Sequence, residues 1–138
     1  MSINNRITQL TGTQYPIIQA PMGWIARAQL AAAVSNAGGL GVIETSSGEM
    51  DNIKREVALM RQMTDKPFAM NVALSYVRGT NIIDFVIDQG IKFVTTSSGS
   101  PSVCTKDFQA AGITVFHVVP TLEMALKALD AGVDGLVV

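Results

Sequence analysis

The stretch AAGITVFHVV, residues 110–119, shows the pattern that decides the fold of this chain. A helix-like segment stops at Gly112, and a strand rich in β-branched residues begins within three positions. Glycine just past a helix end takes the left-handed backbone conformation at little steric cost, so it acts as a stop signal. The same pattern occurs in NAGGLGVI (36–43), DQGIKFV (88–94) and DAGVDGLVV (130–138). This repetition predicts one supersecondary unit that is used several times along the chain.

Six apolar segments lie between these stops and are predicted to be strands. Because they are apolar on both faces, they are typical of parallel strands that helices cover. The predicted strands are roughly Ile17–Ala20, Leu40–Glu44, Phe68–Val72, Lys92–Thr95, Thr114–Val118 and Gly135–Val138. The helices predicted between them include one from about Glu49 to Met63, one capped by Thr80 or Asn81, one begun by Ser100 and Pro101, and Leu122–Ala131 capped by Thr121.

Alternating strands and helices predict a parallel α/β sheet with right-handed crossovers. Two architectures compete, a doubly wound open sheet and a (β/α)8 TIM barrel. The predicted strands begin 21 to 28 residues apart, and this even pitch without a long crossover favours the barrel. A full barrel needs about 200–250 residues. We therefore expect residues 1–138 to be the N-terminal part of a single TIM-barrel domain, truncated after about strand 6; a smaller open sheet is the alternative.

The composition excludes several classes of protein. Apolar residues make up 48% of the chain and charged residues 15%, with a net charge of −1, which gives no electrostatic basis for binding nucleic acid. The apolar runs are too short to span a membrane, and the start, MSINNRITQL, lacks the apolar core of a signal peptide. The single cysteine, Cys104, cannot form an internal disulfide and fits a reducing compartment. We expect a cytoplasmic protein that binds neither nucleic acid nor membranes.

The expected site lies at the carboxyl ends of the predicted strands, where both architectures carry their chemistry. Amides, hydroxyls and small residues dominate these positions, and Glu44 and His117 are the titratable groups there. No carboxylate pair suits glycosidase chemistry, no His/Cys/Asp set has the spacing of metal ligands, and no GxGxxG follows the first strand. A polar, nearly uncharged ring of this kind suits a planar heterocycle with a phosphate, and flavin mononucleotide (FMN) fits that description.

The segment QAPMG, residues 19–23, is the clearest candidate for contact with such a ring. Pro21 fixes the direction of the chain, Met22 supplies a polarizable side chain, and Gly23 lets the backbone approach a ligand closely. The same turn is also compatible with a tight βα loop that holds no ligand. His117 has two interpretations, as a histidine packed at a strand end or as a group that faces flavin or substrate.

With these motifs in view, the sequence resembles the N-terminal portion of the nitronate monooxygenase (2-nitropropane dioxygenase) family. The related flavin-dependent enoyl-acyl-carrier-protein reductases share its superfamily. The motifs that carry the resemblance, between residues 15 and 138, are QAPM (19–22), AGGLG (37–41), DKPFAMN (65–71) and VVPT (118–121). Their combination in this order makes the resemblance specific, whereas any one alone is weak.

The resemblance implies an FMN-binding TIM barrel and an FMN-dependent oxidoreductase that oxidises alkyl nitronates with O2. It also implies a set of cofactor-binding residues: Ala20, Pro21, Met22 and Gly23 mainly through the backbone, Asn71 through its side chain, and Gln19 and Thr96 as further candidates on the same face. The catalytic histidine of the family is expected beyond Val138, so His117 is not that residue, and no metal is implied.

Two alternative functions remain open. Val118 stands where some nitronate-oxidising members have a lysine, which favours an NAD(P)H-dependent flavin enoyl-acyl-carrier-protein reductase with NAD(P)H as a co-substrate. The other alternative is a non-catalytic truncated half-barrel. Either way we expect a small-molecule ligand. Six strands of an eight-stranded barrel leave two open edges, so we also expect a homo-oligomer or another association that covers them.

Overall fold

The computed structural model describes residues 3–138 as helices and strands that alternate along the chain. The helices are α1 (Arg6–Thr11), α2 (Ala28–Asn36), α3 (Met50–Met63), α4 (Ile82–Asp88), α5 (Thr105–Ala110) and α6 (Leu122–Asp130), with a 3₁₀ turn at Pro101–Val103. The strands are β1 (Gly41–Ile43), β2 (Phe68–Ala73), β3 (Phe93–Ser97), β4 (Thr114–Val118) and β5 (Gly135–Val137).

The five strands form one sheet whose spatial order is their order in the chain. Each neighbouring pair is parallel, from β1 beside β2 to β4 beside β5. A doubly wound sheet reverses its strand order at a switch point, whereas the wall of a barrel adds each strand beside the previous one. The chain therefore has the α/β fold predicted for it, that of a (β/α)8 barrel wall.

The first predicted strand, Ile17–Ala20, is reduced to a single bridge in which Ile18 pairs with Leu40. The Gln19 N–H donates to the Leu40 carbonyl at 3.0 Å, which places this segment beside β1 as expected. The Gln19 side chain then continues the ladder, because its Nε2 donates to the Val42 carbonyl at 3.0 Å and its Oε1 accepts from the Val42 N–H at 3.3 Å. A side-chain amide thus replaces main-chain pairing where a longer strand was expected.

Successive side chains of a strand point to opposite faces, so the sheet carries two cores. The outer core lies between the sheet and the covering helices, and it includes Val57, Met60, Met70, Val94 and Phe108. The inner core is smaller, with Ile7 and Leu10 of α1 packed against Leu40, Val42, Ala69, Phe93 and Phe116. The helix α1 is absent from the sequence prediction, since six residues with two large apolar side chains show no clear period.

Two glycines allow close packing around the sheet. A Cβ on Gly41 would lie 2.0 Å from the Ala31 carbonyl oxygen, so the AGGLG motif lets β1 lie directly against the backbone of α2. A Cβ on Gly135 would meet the Phe116 ring at 2.4 Å, so this glycine makes room for the largest side chain of the inner face of β4. At both positions the missing side chain is a packing requirement.

The predicted helix boundaries hold closely for α3 and α6. Glu49 is the N-cap of α3, and the Thr121 hydroxyl caps α6 by accepting from the Met124 N–H at 3.3 Å. The helix expected to start at Pro101 is instead a 3₁₀ turn followed by α5, because Cys104 has a non-helical backbone between them. The longest helix within residues 3–138 has 14 residues, and none found there has the length and apolarity that crossing a membrane requires.

Candidate functional site

A cavity of about 620 Å³ opens on the inner face of the sheet. Gln19, Ala20 and Pro21 of the first segment line one side, and Thr95 and Ser97 of β3 line another. The remaining wall is apolar and includes Ile18, Phe116, Val118 and Val137, and no charged side chain is among the lining residues. Small-molecule sites usually measure about 300–1,000 Å³ and combine apolar walls with a few polar groups. This cavity has those properties.

Asn71 on β2 anchors the polar part of the cavity wall. Its side chain is only 3% exposed, and its Nδ2 donates to the Thr95 hydroxyl at 2.9 Å and to the Thr95 carbonyl at 3.3 Å. Its Oδ1 accepts from the Ser97 hydroxyl at 3.3 Å. The three residues share the inner face because Asn71 pairs in register with Thr95, and Ser97 lies two positions further along β3. The result is a buried amide whose partners are the two hydroxyls that line the cavity.

Glu44, just after β1, joins the loops beside this cavity. Its carboxylate is 5% exposed and accepts from the Trp24 N–H at 3.2 Å through Oε1. Its Oε2 accepts from both the N–H and the hydroxyl of Ser46. A Cβ on Gly23 would lie 3.0 Å from the Ser46 hydroxyl oxygen. The space beside Gly23 is therefore filled by Ser46, which packs the turn after the first segment against the loop after β1.

The residues predicted to contact the cofactor separate into those at the cavity and those beyond it. Gln19, Ala20 and Pro21 line the cavity, and Asn71 binds two residues that line it. Met22 and Gly23 are not among the lining residues. The Met22 carbonyl accepts from the Ala26 N–H at 2.8 Å, and the Met22 side chain is 41% exposed. Met22 and Gly23 therefore shape the turn that follows the cavity wall.

Thr96 and His117 lie on the other face of the sheet, toward the helices. They are paired in register, and the Thr96 hydroxyl lies 2.7 Å from Nδ1 of His117. Both side chains are buried, and burial lowers the pKa of His117 below its ordinary value. The expectation that Thr96 lines the same face as Gln19 is therefore wrong. Of the two interpretations of His117, the packed histidine fits, since its ring lies behind the sheet and not in this cavity.

Thr95 and Ser97 line the cavity, but the predicted cofactor-binding residues did not include them. Side chains alternate along a strand, so Phe93, Thr95 and Ser97 share the inner face while Thr96 takes the outer one. The sequence offered no signal for the phase of this alternation, because the adjacent residues Phe93 and Val94 are both apolar and both buried. For Glu44, likewise, no local signal indicates that main-chain N–H groups of two loops surround the carboxylate.

Several known proteins resemble this chain in sequence or in structure. A family model described as nitronate monooxygenase matches residues 4–138. The nitronate monooxygenase of Pseudomonas aeruginosa is 46% identical over 70 residues, which are 51% of this chain and 20% of that protein. The (3aS,4S,5R,7aS)-5-hydroxy-7a-methyl-1-oxo-octahydro-1H-indene-4-carboxyl-CoA dehydrogenase of Mycobacterium tuberculosis is 26% identical over 138 residues, or 100% of this chain and 39% of that protein.

The structure is also similar to that of FabK from Thermotoga maritima. The TM-score is 0.90 at 31% sequence identity, and the match covers 98% of this chain and 43% of that chain. The chain thus spans less than half of the length of each of these three relatives. The family model matches almost every residue, and the parallel strands follow one another as the motifs predicted. On this evidence the chain belongs to the nitronate monooxygenase family.

Proposed function

We propose that this chain forms the part of an FMN-dependent oxidoreductase that holds the cofactor ring, in an enzyme that oxidises alkyl nitronates with O2. The observation that carries the proposal is the uncharged cavity of about 620 Å³ where Gln19 to Pro21 face Thr95 and Ser97. The nitronate monooxygenase of Pseudomonas aeruginosa, 46% identical over 70 residues, supports the choice of reaction.

The residues at the cavity suit the ring of FMN better than its phosphate. A flat heterocycle needs apolar walls and a few amide or hydroxyl groups at its edge. Phe116 and Val118 provide the walls, and Thr95 and Ser97 provide the edge groups. No lysine or arginine is among the lining residues, so we assign no phosphate contact to them. The fit therefore holds for the ring portion of the cofactor.

The chain's own residues then have separate roles in binding and orientation. Thr95 and Ser97 would hydrogen-bond to the ring edge, and Asn71 fixes the direction of both hydroxyls. The main chain at Ala20 and Pro21 bounds the opposite side, while Phe116 limits the access of water. A flavin bound there would take electrons from a nitronate and pass them to O2.

Proton transfer is not assigned to these residues. No titratable side chain lines the cavity, and the single histidine of the chain, His117, lies behind the sheet. General acid–base catalysis needs a titratable group within hydrogen-bond reach of the reacting atom. We therefore propose that the 138 residues bind flavin but do not turn over substrate by themselves.

The test has two stages. The purified chain is titrated with FMN while the flavin absorbance and fluorescence are followed, and oxygen consumption is then measured with propyl-2-nitronate. We expect saturable binding without turnover by the chain alone, and turnover by a longer form of the protein. The absence of binding at a large excess of FMN would refute the proposed cofactor site. Turnover by the chain alone would show that the catalytic group lies within these residues.

A second candidate reaction is the reduction of an enoyl-acyl-carrier-protein substrate by NAD(P)H on the same flavin. The observation that favours it is the likeness to FabK from Thermotoga maritima over 98% of this chain. A longer form of the protein is assayed with a crotonyl thioester and NADH, in parallel with propyl-2-nitronate and O2. Thioester reduction without nitronate oxidation would select the reductase, and the reverse result would select the monooxygenase.

A further inference from the structure

We propose that Glu44 is a positioning residue for the cofactor loop. Its buried carboxylate holds the turn at residues 22–24, which directly follows the cavity wall that Gln19, Ala20 and Pro21 form. This inference rests on the proposed function, since it gives the turn a role in flavin binding. It adds a residue that neither the motifs nor the cavity lining identify.

Glu44 is bound to the turn and its surroundings at both its backbone and its side chain. Its own N–H donates to the Ala26 carbonyl at 2.9 Å, and its Oε1 accepts from the Trp24 N–H at 3.2 Å. The same turn is linked to the cavity wall, because the Met22 N–H donates to the Ala20 carbonyl at 2.9 Å and Ala20 lines the cavity. The Glu44 carboxylate is therefore connected to the cavity wall through the Trp24 N–H and the Met22–Ala20 hydrogen bond.

The surroundings of Glu44 require a group that only accepts hydrogen bonds. Oε1 faces the Trp24 N–H, and Oε2 faces the N–H and the hydroxyl of Ser46. Among residues 3–138 no lysine, arginine or histidine forms an ion pair with this carboxylate. A buried charge is costly unless hydrogen bonds compensate for it, and such bonds to a carboxylate are stronger than neutral ones. Glutamine has the same shape, but its NH2 group would point at another donor.

Trp24 shows what the carboxylate holds in place. Its φ is +64°, in the left-handed region that bulky residues rarely adopt. Its side chain is 65% exposed, and the Arg27 guanidinium lies 5.1 Å from the ring centroid. Unfavourable backbone conformations of this kind persist where the surrounding structure imposes them, and they cluster at functional sites. The hydrogen bond from the Trp24 N–H to Glu44 is the direct contact that favours this conformation.

Trp24 also provides the measurement, since it is the single tryptophan of the chain. Its emission spectrum and its quenching by acrylamide are recorded for the unsubstituted chain, for Glu44→Gln and for the control Glu123→Gln, all without flavin. Glu123 is an exposed carboxylate on α6 that pairs with Lys127. We expect a changed spectrum and changed quenching in Glu44→Gln and none in the control. Ser46→Ala removes one of the three donors, so a smaller change in the same direction is expected.

The FMN dissociation constant and the thermal midpoint separate positioning from general stability. We expect Glu44→Gln to raise the dissociation constant about tenfold, the effect of losing one hydrogen bond to a charged group. Ser46→Ala should raise it by a smaller factor and lower the midpoint less, which keeps the test valid if Glu44→Gln does not fold. A lowered midpoint with an unchanged dissociation constant would overturn the proposal.

The outcomes also distinguish this inference from the proposed function. An unchanged Trp24 spectrum in folded Glu44→Gln would refute the positioning role, whatever the chain binds. A failure of the unsubstituted chain to bind FMN would instead refute the proposed cofactor site, and with it the effect of Glu44 on flavin. In that case the Trp24 spectra still decide whether the carboxylate sets the turn.

Discussion

Replacement of Asn71 by alanine tests whether a buried amide organises the cavity wall. The substitution removes three hydrogen bonds, two donated to Thr95 at 2.9 and 3.3 Å and one accepted from Ser97 at 3.3 Å. Each intramolecular hydrogen bond contributes about 0.5–1.5 kcal/mol net. The two hydroxyls can rotate toward other partners, and so we expect the free energy of unfolding to fall by about 1–3 kcal/mol.

Asn52→Ala is the matched control for this prediction. Asn52 lies on α3 and exchanges hydrogen bonds with Glu49 and Arg55 at the surface. Surface substitutions of this kind usually change stability by less than about 0.5 kcal/mol. Urea unfolding at constant temperature, followed by far-ultraviolet circular dichroism, gives both values. Equal losses in the two variants would refute the reasoning that burial makes the Asn71 network important.

The same variant tests the proposed cofactor site. If Asn71 orients the hydroxyls that meet the flavin edge, the loss of about 1–3 kcal/mol in binding corresponds to a dissociation constant roughly 5- to 150-fold higher. The measurement is an FMN titration of folded Asn71→Ala and Asn52→Ala under the same conditions. An FMN dissociation constant that Asn71→Ala leaves unchanged would remove Asn71 from the proposed site.

Three further predictions concern packing and titration. Gly41→Ala places a Cβ 2.0 Å from the Ala31 carbonyl oxygen, a clash with backbone, and should lower the free energy of unfolding by about 3 kcal/mol or more. Gly90→Ala, with φ +64° and open space around it, should cost only about 1–2 kcal/mol, so equal urea midpoints for the two variants would contradict this prediction. Burial raises the pKa of the Cys104 thiol from 9.0 to about 11. The free energy of unfolding should therefore fall as the pH rises from about 9 to 11, and Cys104→Ala should abolish that fall. Burial lowers the pKa of His117 below 6.5, so the free energy of unfolding should fall as the pH drops from 6.5 through the folded-state pKa. The single imidazole should titrate below pH 6.5 by NMR, and a titration midpoint at or above 6.5 would contradict this prediction.

Chain position alone was enough to place three of the predicted residues at the cavity. Gln19, Ala20 and Pro21 line the cavity because they lie at the carboxyl end of the segment that pairs with Leu40 beside β1, and the carboxyl ends of parallel strands carry the site. Thr96 was misassigned by one residue, because the face of a side chain depends on the phase of a two-residue period. That phase follows from the packing of Phe93 against the inner core.

The sequence by itself determined the alternation of helices and strands, the parallel sheet and the family. These follow from local signals, namely glycine at the helix ends, apolar strands and an ordered set of motifs. The tertiary structure alone decided which side chains meet. It brought Glu44 to the N–H of Trp24, 20 residues away in the chain, placed α1 against the inner face, and turned His117 away from the cavity. The physical reason is that these contacts join residues distant in sequence, so strand register and loop packing determine them and no local pattern records them.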